Sequence, residues 1–88
     1  MRERDVERYL AERVDALGGE TRKVGWHGRR GAPDRYVMLP GGIGVWVELK
    51  APGAPTQGHQ TREHERMRAL GQHVVVLDSV QAVDAFLA

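Results

Sequence analysis

Hydrophobic positions along the chain follow two periods, and the switches between them mark out its elements. Val6, Leu10, Val14 and Leu17 recur at helical spacing in an otherwise charged stretch, and Gly18-Gly19 stops the run. A short polar strand is expected over 21–24. Residues 25–33 hold three glycines and a proline, which predicts a loop. Two β-rich runs, 35–39 and 44–50, are joined by Pro40-Gly41-Gly42 and read as an antiparallel hairpin. Two prolines and a glycine in 51–55 end the second strand. Thr56 is a good N-cap for a helix reaching Leu70, with Gly71 past its end. The continuous apolar run 73–77 predicts a strand buried on both faces. Asp78 or Ser79 then caps a last helix with a stripe of Val80, Val83, Phe86 and Leu87. The order αβββαβα implies an α/β fold, with helices packed on a mixed central sheet.

Composition narrows the class. At 88 residues, with no repeat or dividing linker, residues 1–88 are expected to form a single domain with a modest core. Hydrophobic residues at 41% and charged residues at 28% fit a soluble globular chain and argue against disorder. The absence of cysteine excludes disulfides and thiolate zinc sites, and it suits a reducing cytoplasm. No apolar run approaches the ~20 residues of a membrane span, and the charged N-terminus lacks the apolar stretch of a signal peptide. A cytoplasmic protein without a membrane partner is therefore expected. The net charge of +1 announces no nucleic-acid partner. Its distribution says more: Arg22, Lys23, Arg29, Arg30 and Arg35 crowd one region whose only acid is Asp34.

The chemistry concentrates in residues 45–50. Strand side chains alternate, so Val45, Val47 and Leu49 face one way while Trp46, Glu48 and Lys50 face the other. Glu48 and Lys50 are then neighbours, about 7 Å apart along the strand. If the hairpin pairs as read, Asp34 at the start of one strand approaches Glu48 near the end of the other. Two adjoining carboxylates raise each other's proton affinity unless a cation neutralises them. Oxygen donors without cysteine favour Mg²⁺ or Mn²⁺. An isolated E-x-K is usually just a solvated strand face. Here Pro33-Asp34 one strand earlier, and the basic glycine-rich loop before it, favour a site. In the helix that follows, Gln60, His64 and Met67 make an inward stripe that is polar in its first half, which suits a helix beginning over a site rather than over core. For Trp26 and Trp46 the readings are stacking on nucleobases and burial in the small core, and burial is the one expected.

Gly31-Ala32-Pro33-Asp34, followed by Glu48-Leu49-Lys50, resembles the signature of the PD-(D/E)xK nucleases. Within that superfamily the chain is most similar to the virus-type replication-repair nuclease (VRR-NUC) domains of phages and bacteria. The resemblance spans nearly the whole chain and implies the restriction-endonuclease-like αβββαβ core. It assigns Asp34, Glu48 and Lys50 to catalysis. It adds a first-helix acid, Glu7 with Glu3 as competitor, and the helix glutamine, Gln60. Glu7, Asp34, Glu48 and the Leu49 carbonyl are the implied ligands of Mg²⁺ or Mn²⁺. Lys50 would orient or deprotonate a water, or stabilise the transition state. Arg22, Lys23, Arg29 and Arg30 are candidates for holding DNA phosphates. The resemblance implies a DNA endonuclease acting on branched or structured substrates such as four-way (Holliday) junctions. A homodimer is expected, through the last helix at Phe86 and Leu87 or the first around Tyr9, since a junction needs two cuts. A catalytically silent DNA-binding module on this fold and a small α/β interaction domain are the competing readings.

Overall fold

The computed structural model describes residues 1–88. Its elements are α1 (Glu3–Ala16), β1 (Glu20–Lys23), β2 (Arg35–Leu39), β3 (Ile43–Leu49), α2 (Gly58–Ala69), β4 (Val74–Leu77) and α3 (Val80–Leu87). The four strands form one sheet in the order β1-β2-β3-β4. The first three are antiparallel, and β4 runs parallel to β3. Parallel neighbours need a crossover, and α2 supplies it. The α/β class and mixed sheet expected from the hydrophobic pattern are what the chain forms.

The alternation along β3 decides where the core lies. Val45, Val47 and Leu49 are buried on one face, together with Val37 and Leu77. Val6, Leu10 and Val14 of α1 and Val83 of α3 cover that face and complete a single cluster. Full burial of each such side chain contributes roughly 1.5–3 kcal/mol. The Tyr9 hydroxyl donates to Asp84 Oδ1 at 2.6 Å, and Arg13 pairs with the same carboxylate, so polar contacts also fasten α1 to α3. On the opposite face α2 packs against β4 and buries Met67 and His64. No helix is long and apolar enough to cross a membrane.

Several local expectations need correction. Leu17 caps α1 and is 47% exposed, so the buried stripe ends at Val14. β1 starts one residue early and stops before Val24. The N-cap of α2 is Gln57 and not Thr56: Gln60 Oε1 accepts from the Gln57 N–H at 2.9 Å, which satisfies an orphan donor from inside the helix. Of the two caps offered for α3, Ser79 is the one used, accepting from the Ala82 N–H at 3.0 Å. β4 is a sheet edge whose Val75 and Val76 are only half-buried, while His73 is exposed. Trp26 and Trp46 lie outside the core cluster and are half-buried on the other side of the sheet. Tyr9, Phe86 and Leu87 are partly buried against the core cluster.

Candidate active site

Glu48 stands on the sheet face away from the core, one position from Val47 and one from Leu49. It is only 7% exposed, so it does not face open solvent. Arg35 pairs with Val47, and the next step of that register sets Asp34 opposite Glu48. Two contacts hold Asp34 there. The Val24 N–H donates to its carbonyl at 2.9 Å, and the Trp26 indole N–H donates to the carbonyl of buried Pro33 at 2.7 Å. The proline-aspartate step thus ends the loop at a fixed point of the sheet.

The carboxylates perturb one another as their proximity requires. The Glu48 carboxyl is pushed up to about 7, first by burial and then by the negative charge of Asp34, with Lys50 pulling the other way. Asp34 Oδ2 lies 3.1 Å from the Arg35 guanidinium, while Oδ1 is buried without a hydrogen-bond partner. Above the pair sits Gln60. Its Oε1 accepts from Lys50 Nζ at 2.8 Å, and its Nε2 donates to Glu48 Oε2 at 3.3 Å. The amide that caps α2 therefore also holds the strand lysine and the strand glutamate in register.

Glu7 is placed differently. Its Oε1 accepts from Arg35 Nη2 at 2.7 Å, and no three acidic or imidazole groups converge into a preformed metal cluster. The charge that reaches Glu48 from α1 is that of Glu3, one turn earlier. Glu7 and Asp34 are instead joined through Arg35, a guanidinium 6% exposed between two carboxylates.

Comparison with known proteins gives the family. No family model matches the chain. A solved structure described as a VRR_NUC domain superposes with a TM-score of 0.88 at 44% identity, over 97% of this chain and 92% of that one. The protein named "Putative nuclease p44", of Acyrthosiphon pisum secondary endosymbiont phage 1, is 48% identical over 79 residues, which cover 90% of this chain and 85% of the relative. The chain belongs to the VRR-NUC family. It is a VRR-NUC nuclease domain.

Within this VRR-NUC domain the basic residues differ in how free they are. Lys23 and Arg30 are exposed and carry no ion pair. Arg22 is paired with Glu20, and Arg29 lies 4.0 Å from Glu63. The largest cavity, about 440 Å³, is elsewhere, between α1 and β1. Glu12, Asp15 and Glu20 line it, which gives it the wrong charge for a phosphate backbone.

The burial of Arg35 and Glu63 went unread in the sequence, and His64 is more deeply enclosed than its inward stripe alone declares. Arg35 occupies a core-facing strand position, and Glu63 is buried on α2 against Arg66, with contacts of 2.8 and 2.9 Å. His64, read only as part of an inward stripe, is 1% exposed. Burial lowers its pKa, Arg68 acts the same way, and the Gly31 backbone opposes them. Gly31 itself sits against the first turn of α2 at φ +86°, where a Cβ would meet the His59 carbonyl oxygen at 2.5 Å. Only glycine tolerates both that conformation and that approach.

Proposed function

We propose that this nuclease domain hydrolyses phosphodiester bonds of DNA with Mg²⁺ or Mn²⁺, on branched or structured substrates such as four-way junctions. The observation that carries the reading is the Asp34–Glu48 pair. A buried carboxylate oxygen without a donor, beside a carboxyl whose proton affinity is raised by burial and by its acidic neighbour, suits a hard divalent cation. Asp34 and Glu48 would hold it, with the Leu49 carbonyl and a first-helix acid, Glu7 or Glu3, as further donors. When bound, such a cation supplies Lewis acidity and a water of lowered pKa.

The chain's own groups do the remaining work. Lys50, kept beside Glu48 by Gln60, orients or deprotonates the attacking water, or balances charge growing on the phosphoryl oxygens. Lys23 and Arg30 take phosphates directly, while Arg22 and Arg29 exchange a carboxylate partner for one. The domain acts as a twofold pair in the cytoplasm of a bacterial or phage-infected cell, so that one junction receives two cuts.

Purified protein incubated with duplex, single-stranded, flap and four-way-junction DNA, with and without Mg²⁺ or Mn²⁺, tests this. Cleavage is expected only with metal and is lost in Asp34→Asn and Glu48→Gln, which preserve side-chain shape. Undiminished cleavage by either variant would sink the assignment. Binding without cleavage by the unaltered chain would leave a silent DNA-binding module. A sedimentation mass of one chain, both free and on a junction, would remove the dimer.

A further inference from the structure

The sheet face that carries Asp34 and Glu48 has a second functional row beside them. Two residues along each strand, the register pairs are Arg22↔Tyr36, Tyr36↔Trp46 and Trp46↔Val74. Side chains two positions apart share a face, so Tyr36 and Trp46 point the same way as Glu48, at a distance of about 7 Å along the strand. Trp26 joins them from the loop. The Trp26 and Trp46 rings lie 5.1 Å apart at 51°, and those of Tyr36 and Trp46 lie 4.4 Å apart at 53°. Gly44 makes room for this: a Cβ there would meet the Tyr36 hydroxyl at 1.8 Å.

The placement is unusual in its economy. The chain has two tryptophans, and both stand on the carboxylate face, half-buried, while the core opposite is closed by aliphatic side chains. The helix of this face, α2, packs against β4, to one side of the trio. Arg22, across from Tyr36, is 67% exposed.

We propose that Tyr36, Trp46 and Trp26 form a stacking subsite for an unpaired nucleobase of the DNA strand whose phosphate lies at Asp34 and Glu48. This rests on the nuclease reading and narrows its substrate to DNA with an unpaired nucleotide beside the cut. Aromatic faces stack on any base without reading sequence, and a base inside a duplex cannot reach them. The row lies one step along the sheet from the carboxylates, the reach from a scissile phosphate to the adjoining base, and Arg22 is in line for the next phosphate. Flaps and single-stranded gaps supply such a base, and a four-way junction does so when a pair at its crossover opens; blunt duplex does not.

The test uses the whole chain without divalent metal, a short oligothymidylate as probe, and blunt duplex of equal length for comparison. In Trp26→Phe, where Trp46 is the sole indole, the oligothymidylate quenches fluorescence saturably and the duplex does not. Trp46→Phe keeps single-strand affinity, and Trp46→Leu weakens it roughly 5- to 150-fold with little change toward duplex. Circular dichroism checks the fold of each variant, and the quenching experiment decides the matter even if Trp46→Leu is unfolded. Equal quenching by duplex, no quenching at all, or undiminished affinity in folded Trp46→Leu would overturn the subsite. Metal-dependent cleavage without quenching removes this inference alone, whereas quenching without cleavage removes the nuclease reading and leaves a single-strand binder.

Discussion

β3 serves two environments from one run of seven residues. Toward α1 and α3 it contributes Val45, Val47 and Leu49 to a dry aliphatic cluster. Toward α2 it contributes Trp46 and Glu48, with Lys50 just beyond its end, to a face built of aromatic rings and paired charges. The first face gains stability by excluding water from groups that want none. The second gives stability up, because Glu48 is held where its ionised form is disfavoured. One strand can do both because its side chains alternate, so rigidity on one side positions reactive groups on the other.

Three variants would break or sharpen that contrast. The largest effect is expected on the reactive face. Lys50→Ala should lose about 10²- to 10⁴-fold in single-turnover cleavage rate while binding DNA within a few-fold of the parent. Weakened binding with an unchanged rate would make Lys50 a phosphate clamp instead. Next comes the dry face. Leu10, fully buried against β3, should cost about 2–5 kcal/mol when changed to alanine. In chemical denaturation the midpoint falls, while cleavage per folded molecule stays near normal. A rate loss as large as that of Lys50→Ala would show the two faces to be one coupled unit.

The smallest effect concerns Glu48 and pH. Its folded carboxyl titrates near 7 against an ordinary value of 4.5. Between those values the unfolded chain ionises while the folded chain keeps its proton, so metal-free stability falls as pH rises through this window and remains low above it. Glu48→Gln removes the group and should flatten the profile. At pH 8 in EDTA the variant should be more stable than the parent by about 1–2 kcal/mol, less than the full shift implies because the surroundings of an ionised carboxylate relax and admit water. A parent whose melting temperature rises from pH 5 to pH 8 would contradict the environment assigned to Glu48.

The dry face was largely legible in the sequence because its signals are periodic. Val6, Leu10 and Val14, and the alternation at Val45, Val47 and Leu49, declare their burial by spacing alone. Asp34, Glu48 and Lys50 were legible because a strand and its hairpin partner bring them together at predictable positions. Other features depend on distant partners. Arg35 sits at a core position by pattern, yet its charge is tolerated only because Glu7, twenty-eight residues earlier, and Asp34 meet it. No local rule reveals that. Thr56 looked the better cap because hydroxyls usually are, but Gln60 reaches back to Gln57 from within the helix and displaces it. Alternation along β3 placed Trp46 on the face of Glu48, and only its expected burial in the core, shared with Trp26, came from hydrophobicity and failed.

Gly31 has a bearing on how this protein can vary over time. The loop that carries Arg29 and Arg30 touches the turn that carries Gln60 at this glycine, with no space for a methyl group. Before it, His27, Arg29 and Arg30 are exposed and can change to suit a new nucleic acid without disturbing the carboxylates, while Gly28 keeps a left-handed φ of +73°. Position 31 has no such freedom, since any side chain would lift Gln60 away from Lys50. A library randomised over 27–31 and selected for cleavage should therefore return many solutions at 27, mostly glycine at 28, basic residues at 29 and 30, and glycine alone at 31. Diversification of the substrate and preservation of the chemistry are separated here by a single residue.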